Sequence, residues 1–104
     1  MYYIYMLRCA DSSIYTGITT DLERRMREHF SKNDKCAKYT LRHSAIRLET
    51  AFVTDDRKNA SKLEYHIKHI SKKDKESLIL DNTLLENILG DKVDAKNYSI
   101  YMGL

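Results

Sequence analysis

Two short tyrosine-rich runs near the start of the chain constrain its fold more than any other feature. Residues 2–8 and 13–19 are rich in aromatic and β-branched side chains, and an Asp-Ser-Ser turn sequence lies between them. This pattern predicts a β-hairpin with Tyr5 and Tyr15 on neighbouring strands, where two phenol hydroxyls could converge on one phosphate or one water. Gly17 has no side chain, so the second strand can be approached closely by another backbone or by a ligand.

A helix is predicted to follow the hairpin. Thr20 and Glu23 form a Thr-x-x-Glu capping box, which places the helix start near Thr20. Arg25 and His29 lie four residues apart on the flank of the apolar face, so both side chains can project toward the sheet that carries the tyrosines. Apolar residues at the same spacing predict the buried stripe of this helix: Leu22, Met26 and Phe30.

The segment from Ser31 to Ser44 is predicted to be a long basic loop with one aromatic residue, Tyr39. Such a loop can follow a sugar-phosphate backbone and offer Tyr39 for stacking, or it can be a solvated connector. Residues 47–53 alternate enough to add a third strand, and Asp55-Asp56 then opens a second helix. The residues therefore predict an α/β (α+β) fold with a three-stranded antiparallel sheet flanked by helices.

Glu64 lies beside the apolar face of this second helix, with Lys68 one turn further on. On spacing alone, the two side chains form a surface ion pair worth only ~0.3–0.5 kcal/mol. The predicted inner face of the helix consists of Ala60, Leu63, Ile67 and Ile70.

The stretch from Tyr3 to Phe30 resembles the GIY-YIG endonuclease family, in which one strand ends its motif in Tyr, the next carries Tyr-x-Gly, and the following helix supplies Arg. Lys-Tyr-Thr at 38–40 and Leu-Glu-Tyr-x-x-Lys at 63–68 look like the small stand-alone YhbQ-like branch, and the resemblance covers roughly residues 1–80. The three motif positions correspond to Tyr5, Tyr15 and Arg25.

The sequence departs from the family pattern at three positions. Tyr3 stands at the first glycine, Thr16 is the middle of the second triplet, and Ile18 replaces a lysine that some members carry. That lysine is one possible activator of the tyrosine base. We expect His29 to take over this activation.

The resemblance implies metal-dependent hydrolysis of phosphodiester bonds in DNA, with a possible structure-specific role in repair or recombination; RNA is not excluded. Tyr5 or Tyr15 would be the general base, Arg25 would hold phosphate oxygens, and Glu64 would be the ligand of one Mg²⁺ or Mn²⁺ ion. A module of the same fold that binds nucleic acid but cleaves weakly or not at all is the alternative. The expected nucleic-acid contacts are Gly17, Lys35, Lys38, Tyr39, Arg42 and Lys68.

Charge divides the chain in two. Residues 1–80 carry a net charge of +5 and residues 81–104 a net charge of −2. A basic surplus suits a protein that meets phosphate backbones, although many proteins share it. We expect a nuclease-like domain over 1–80 and an extension over 81–104 that acts as a stabilising cap, a self-association surface or a partner-binding segment.

Cysteine usage and hydropathy indicate a cytoplasmic protein. Cys9 and Cys36 lie far apart and form no CxxC pair, which argues against a zinc site and favours two reduced thiols. No run approaches the ~20 apolar residues needed to cross a membrane, and no signal peptide is visible.

Overall fold

Alternating side chains and a tight turn fold the first twenty residues into the expected hairpin of β1 (Tyr2–Cys9) and β2 (Ile14–Thr19). The carboxylate of Asp11 accepts a hydrogen bond from the backbone N–H of Ser13 at 3.0 Å, and Ser12 adopts a left-handed conformation with φ of 70°. This Asx-type turn is the one that the Asp-Ser-Ser sequence predicts.

The computed structural model describes residues 1–31 and 35–103. After the hairpin come α1 (Leu22–Ser31), α2 (Lys38–His43), β3 (Ala45–Thr54), α3 (Arg57–His69), α4 (Lys72–Leu80), α5 (Leu85–Leu89) and β4 (Ser99–Ile100), with short 3₁₀ turns at Asn82–Leu84 and Ala95–Asn97. The strands form one antiparallel sheet in the order β2-β1-β3-β4. The predicted mixed class with an antiparallel sheet is confirmed. No helix in the described part of the chain is long and apolar enough to span a membrane.

Each face of the sheet has its own apolar cluster, because successive residues of a strand point to opposite sides. On one face Ile4, Met6 and Phe52 pack with Leu63 of α3 and with residues of α4 and α5. On the other face Tyr5 and Leu7 pack with α1, in a cluster whose remaining buried members are Leu22, Met26 and Ala51. The tyrosine of the first motif therefore lies beneath α1.

The predicted start and stripe of α1 need correction. The carboxylate of Asp21 accepts from the N–H of Arg24 at 3.1 Å, so Asp21 caps the helix instead of Thr20. His29 is fully buried, whereas Phe30 is 40% exposed. Position 29 follows Leu22 by seven residues, which is almost two full turns, and therefore stays on the buried face.

The prediction of an irregular loop over 31–44 is wrong in its second half, where α2 forms. Thr40 of this short helix is fully buried. Lys32, which the predicted loop included, lies outside the described residues.

The predicted start of the next long helix is confirmed. The carboxylate of Asp56 accepts from the N–H of Asn59 at 2.7 Å and caps α3. Ala60, Leu63 and Ile67 are fully buried, as the inner face of this helix requires.

The residues after position 80 join the same core. Leu85, Leu89 and Val93 are buried against the cluster that contains Phe52. Ile100 pairs with Phe52, so β4 extends the sheet to four strands where three were predicted. The segment thus has a structural role. Its division from residues 1–80, and any binding of a partner, stay predictions.

Candidate active site

Tyr5 lies in β1, an inner strand of the sheet, and the residues paired with it on both sides are small. It pairs with Gly17 on one side and with Ala51 on the other, and only 1% of its surface is exposed. A Cβ atom on Gly17 would lie 2.5 Å from Tyr5 Oη and 2.7 Å from Tyr5 Cζ. The close approach that glycine permits here is made by the Tyr5 ring. A contact between Gly17 and a ligand stays a prediction.

Replacing Gly17 with alanine should therefore displace the Tyr5 ring. We expect the free energy of unfolding to fall by about 1–3 kcal/mol, the usual cost of overpacking, as measured by urea denaturation. Because the phenol oxygen is the nearest atom, the same change should cost less in a Tyr5→Phe background. Equal losses in the two backgrounds would show that the methyl group meets something other than the hydroxyl.

A chain of buried hydrogen bonds leads away from the Tyr5 hydroxyl. Tyr5 Oη lies 2.8 Å from His29 Nε2, and His29 Nδ1 lies 2.7 Å from Thr40 Oγ1. The Thr40 hydroxyl in turn donates to the carbonyl oxygen of Ala37 at 3.1 Å. α1 supplies the histidine and α2 supplies the threonine, so three elements meet at one histidine ring.

Burial keeps the Tyr5 phenol and the His29 imidazole neutral. It lowers the pKa of His29 to about 4, and the nearby Arg25 cation acts in the same direction. Burial also raises the pKa of the Tyr5 phenol well above its usual value, although the Arg25 guanidinium beside it opposes this rise. At neutral pH the pair is therefore a phenol and a neutral imidazole.

The lowered pKa of His29 predicts a loss of stability in mild acid. In the unfolded chain the histidine takes up a proton below its ordinary pKa of 6.5, whereas in the folded protein it stays neutral down to about pH 4. The free energy of unfolding therefore falls as the pH is lowered from 6.5 to about 4. The contribution amounts to about 3 kcal/mol, because each tenfold change in proton affinity corresponds to about 1.4 kcal/mol. Free energies of unfolding from urea titrations between pH 7 and pH 4.5 measure it.

His29→Gln should flatten this part of the pH profile, because the amide does not titrate. His69→Gln, at an exposed position of α3, is the matched control and should leave the profile unchanged. A slope that is the same in His29→Gln as in the parent protein would mean that another group causes the loss.

Arg25 lies near Tyr5 and His29, and two hydrogen bonds hold its guanidinium in place. Its Nη1 donates to Glu28 Oε1 at 2.7 Å and to the Lys35 carbonyl at 2.6 Å. Glu28 pairs with Arg25 because the two lie on one side of α1, three residues apart. The arginine side chain remains 21% exposed, so it is fixed in place and still open to solvent.

Tyr15 connects the cluster to the predicted nucleic-acid contacts. Its ring centroid lies 5.5 Å from that of His29, 6.2 Å from that of Tyr5 and 5.6 Å from that of Tyr39. Tyr39 in turn stacks on His43 at 4.2 Å, within α2. Two of the predicted contacts, Lys38 and Arg42, are exposed on the same short helix.

Glu64 reaches the same edge of the sheet from α3. Its carboxylate lies 3.4 Å from Lys68 Nζ, and this ammonium also lies 5.6 Å from the centre of the Tyr15 ring. The negative charge of Glu64 acts on the Tyr5 phenol as well. The structure therefore brings together all five predicted catalytic residues: Tyr5, Tyr15, Arg25, His29 and Glu64.

The donor set around Glu64 restricts the metal that this edge can hold. Among the described residues, no three His, Cys, Asp or Glu side chains lie close enough together to enclose an ion. A single, partly exposed carboxylate fits Mg²⁺ or a similar hard cation, which keeps several waters and takes its other ligands from phosphate. Glu64 fits that arrangement and would not fit a closed structural site.

A cavity of about 1140 Å³ lies between α1, Leu48 of β3 and Tyr101 after β4, and none of the five predicted catalytic residues lines it. A smaller cleft of about 350 Å³ adjoins Tyr5 and His29 through Arg25, and its lining includes the three arginines Arg24, Arg25 and Arg57. The Glu28 carboxylate also lines this cleft and pairs with Arg24 and Arg25. Such a cleft suits phosphate oxygens better than the larger, more apolar groove does.

Sequence reasoning missed three residues of this region, of which Arg24 lies next to Arg25 and lines the same cleft. Thr40 was noted only as part of a resemblance, and no periodicity in a predicted loop could mark it as buried. Arg57 opens α3 thirty-two residues after Arg25, and only the fold brings it to the same cleft. The Lys-Tyr-Thr stretch was the one available signal, and it pointed to α2.

Comparisons with known proteins agree with this geometry. Residues 1–77 match the GIY-YIG catalytic domain family. A UPF0213 protein of Fusobacterium nucleatum is 49% identical over 78 residues, which cover 75% of this chain and 76% of that protein. The UPF0213 protein YhbQ of Salmonella typhimurium is 39% identical over 88 residues, which cover 85% of this chain and 86% of that protein.

A solved structure agrees as well. The solution NMR structure of a UPF0213 protein from Bacillus halodurans aligns with a TM-score of 0.51 at 40% identity, over 85% of this chain and 94% of that one. The family indicates a nuclease-type activity on nucleic acid, generally with divalent metals. The chain is a member of the GIY-YIG family, in its small YhbQ-like branch.

Proposed function

We propose that this protein is a divalent-metal-dependent endonuclease that hydrolyses phosphodiester bonds in DNA, with Tyr5 as the general base. The observation that carries the proposal is the 2.8 Å hydrogen bond between Tyr5 and His29, at an edge that also holds Arg25 and Glu64. A tyrosine can take a proton from water only if its own proton has an acceptor, and His29 provides one. Tyr15 packs its ring beside those of Tyr5 and His29 and has no proton-transfer role in this proposal.

The proton steps balance along the hydrogen-bonded chain. As water attacks phosphorus, one of its protons passes to Tyr5 Oη and the Tyr5 proton passes to His29 Nε2. A new P–O bond forms to the water oxygen, and the P–O bond to the 3′ oxygen breaks. The departing oxygen takes a proton from solvent, and His29 then releases the proton that it accepted.

The pKa values shape the timing of this transfer. Because burial raises the pKa of Tyr5, a free phenolate is disfavoured, so the phenol proton must leave as the water proton arrives. A His29 pKa of about 4 makes the ring a weak acceptor at rest. Negative charge that develops on the attacked phosphate stabilises the imidazolium, so acceptance is coupled to attack.

Arg25 and the cleft beside it hold the phosphate. The guanidinium is planar and permanently charged, and Arg24 and Arg57 line the same cleft. A metal bound at Glu64 would supply Lewis-acid stabilisation of the leaving oxygen. Lys68 would then exchange its ion pair with Glu64 for contacts to the substrate backbone.

The alternative function, a nucleic-acid-binding module with little or no cleavage, is favoured by one observation. Tyr5 is 1% exposed, so its hydroxyl is almost closed to the water that it would have to deprotonate. The basic and aromatic residues of α2 would still bind nucleic acid in such a module.

A cleavage screen separates the two functions. Single-stranded, nicked and branched DNA and RNA are incubated with the protein in Mg²⁺, in Mn²⁺ and in chelator. The proposal predicts metal-dependent cleavage of at least one DNA substrate and none in chelator. Binding to these substrates without cleavage would instead establish the module. Cleavage of branched DNA in preference to single strands would support a repair or recombination role.

A further inference from the structure

We propose that Thr40 is a positioning residue that fixes which nitrogen of His29 carries the proton. The proposal rests on the proposed function for its catalytic consequence, and on geometry for its structural part. Thr40 and His29 are both fully buried, so no solvent competes for their hydrogen bonds. Thr40 thereby sets the direction of each hydrogen bond in the series from Tyr5 to Ala37.

The last hydrogen bond of the series, from Thr40 to Ala37, determines the direction of the others. A carbonyl oxygen only accepts, so the 3.1 Å hydrogen bond between Thr40 and Ala37 requires the threonine hydroxyl to donate its one hydrogen there. The hydroxyl can then offer only a lone pair to His29 Nδ1, 2.7 Å away. Nδ1 must therefore carry the hydrogen. In the neutral ring this leaves Nε2 without one, and Nε2 accepts from the Tyr5 hydroxyl.

The opposite tautomer would defeat the reaction. With its hydrogen on Nε2, His29 would donate to Tyr5 Oη and could not accept the phenol proton. Nδ1 would then face the Thr40 lone pairs as a second acceptor for as long as the hydroxyl donates to Ala37. Thr40 contacts neither phosphate nor water in this mechanism, so its effect passes entirely through His29.

Valine in place of Thr40 keeps the branched shape and removes the hydroxyl. We expect the buried ring to move its hydrogen to Nε2, where Tyr5 Oη can accept it, because Nδ1–H would have no partner. We expect kcat to fall by about 10²-fold, the scale of a lost general base, with KM little changed. Thr40→Ser restores the hydroxyl and should recover both the tautomer and most of kcat.

Nitrogen-15 chemical shifts of the His29 ring at pH 7 report the tautomer without any substrate. Thr50→Val is the matched control, because Thr50 is also buried and bonded through its hydroxyl, to Asn82 at 3.2 Å. It should lose some stability and keep both the His29 tautomer and kcat. A merely structural role for Thr40 would make the two valine variants behave alike.

The proposal is overturned if the parent ring carries its hydrogen on Nε2, if Thr40→Val leaves the tautomer unchanged, or if the tautomer moves and kcat does not. A rise in KM with constant kcat also overturns it, since that pattern means that α2 binds substrate and does not set the base. A parent protein with the expected tautomer and no cleavage supports the assignment of the hydrogen and counts against the proposed function alone.

Discussion

Glu64→Gln should abolish metal-dependent cleavage while the fold and most nucleic-acid affinity remain. The neutral amide is a poor ligand for a hard divalent cation, and Glu64 is the one carboxylate that the proposed metal site requires. We expect most affinity to come from basic side chains, several of which lie around the cleft and on α2. Loss of the exposed pair with Lys68 should change stability by less than about 1 kcal/mol.

Glu23→Gln is the matched control, since Glu23 also pairs with a basic residue one turn away and its side chain is 89% exposed. This variant should cleave like the parent. Initial rates in Mg²⁺, binding by fluorescence anisotropy and melting temperature are measured for both variants. Cleavage that survives Glu64→Gln, or that continues in chelator, would contradict the one-metal site.

Tyr5→Phe should lower the cleavage rate by about 10²-fold or more, because it removes the proposed base and almost no apolar volume. It leaves His29 Nε2 without its hydrogen-bond donor, so we expect a loss of about 1 kcal/mol in stability. Single-turnover rates with saturating enzyme isolate the chemical step from binding.

Tyr15→Phe provides the comparison. Tyr15 meets the cluster mainly through its ring, which phenylalanine keeps, so the rate should fall less than in Tyr5→Phe. A larger fall in rate for Tyr15→Phe than for Tyr5→Phe would indicate that Tyr15 is the general base. Equal and small effects at both would favour the binding module.

Features set by neighbouring residues were predictable from the sequence. The Asp-Ser-Ser turn fixes the hairpin, and Asp56 caps the helix that follows it, through contacts no more than three residues away. The pairing of Tyr5 with a neighbouring strand follows from the hairpin in the same way.

Features that depend on distant residues were not predictable. α2 has no side-chain cap, and its place depends on the buried hydroxyl of Thr40. The two-residue strand β4 forms because Ile100 pairs with Phe52, forty-eight positions earlier in the sequence. Phe30 was expected inside and His29 at the edge, since hydrophobicity ranks them so. The hydrogen bonds at both ring nitrogens of His29 make its burial tolerable.

The site shows the same division between local and distant causes. The sequence pointed to Tyr5, Tyr15 and Arg25 through their motif, and it offered two possible bases. Our choice of Tyr5 as the proposed base rests on the register, which places Tyr5 between Gly17 and Ala51 with its hydroxyl 2.8 Å from His29 Nε2. Register is a property of the folded sheet.

A double-mutant cycle on Tyr5 and His29 tests directly whether they act as one catalytic unit. Cleavage rates are measured under single-turnover conditions for the parent, Tyr5→Phe, His29→Ala and the double variant. If the histidine acts only by accepting the tyrosine proton, the double variant should be about as slow as the slower single variant. A double variant whose rate falls by the full product of the two single effects would show that His29 works independently of Tyr5, and the proposed proton transfer would be wrong.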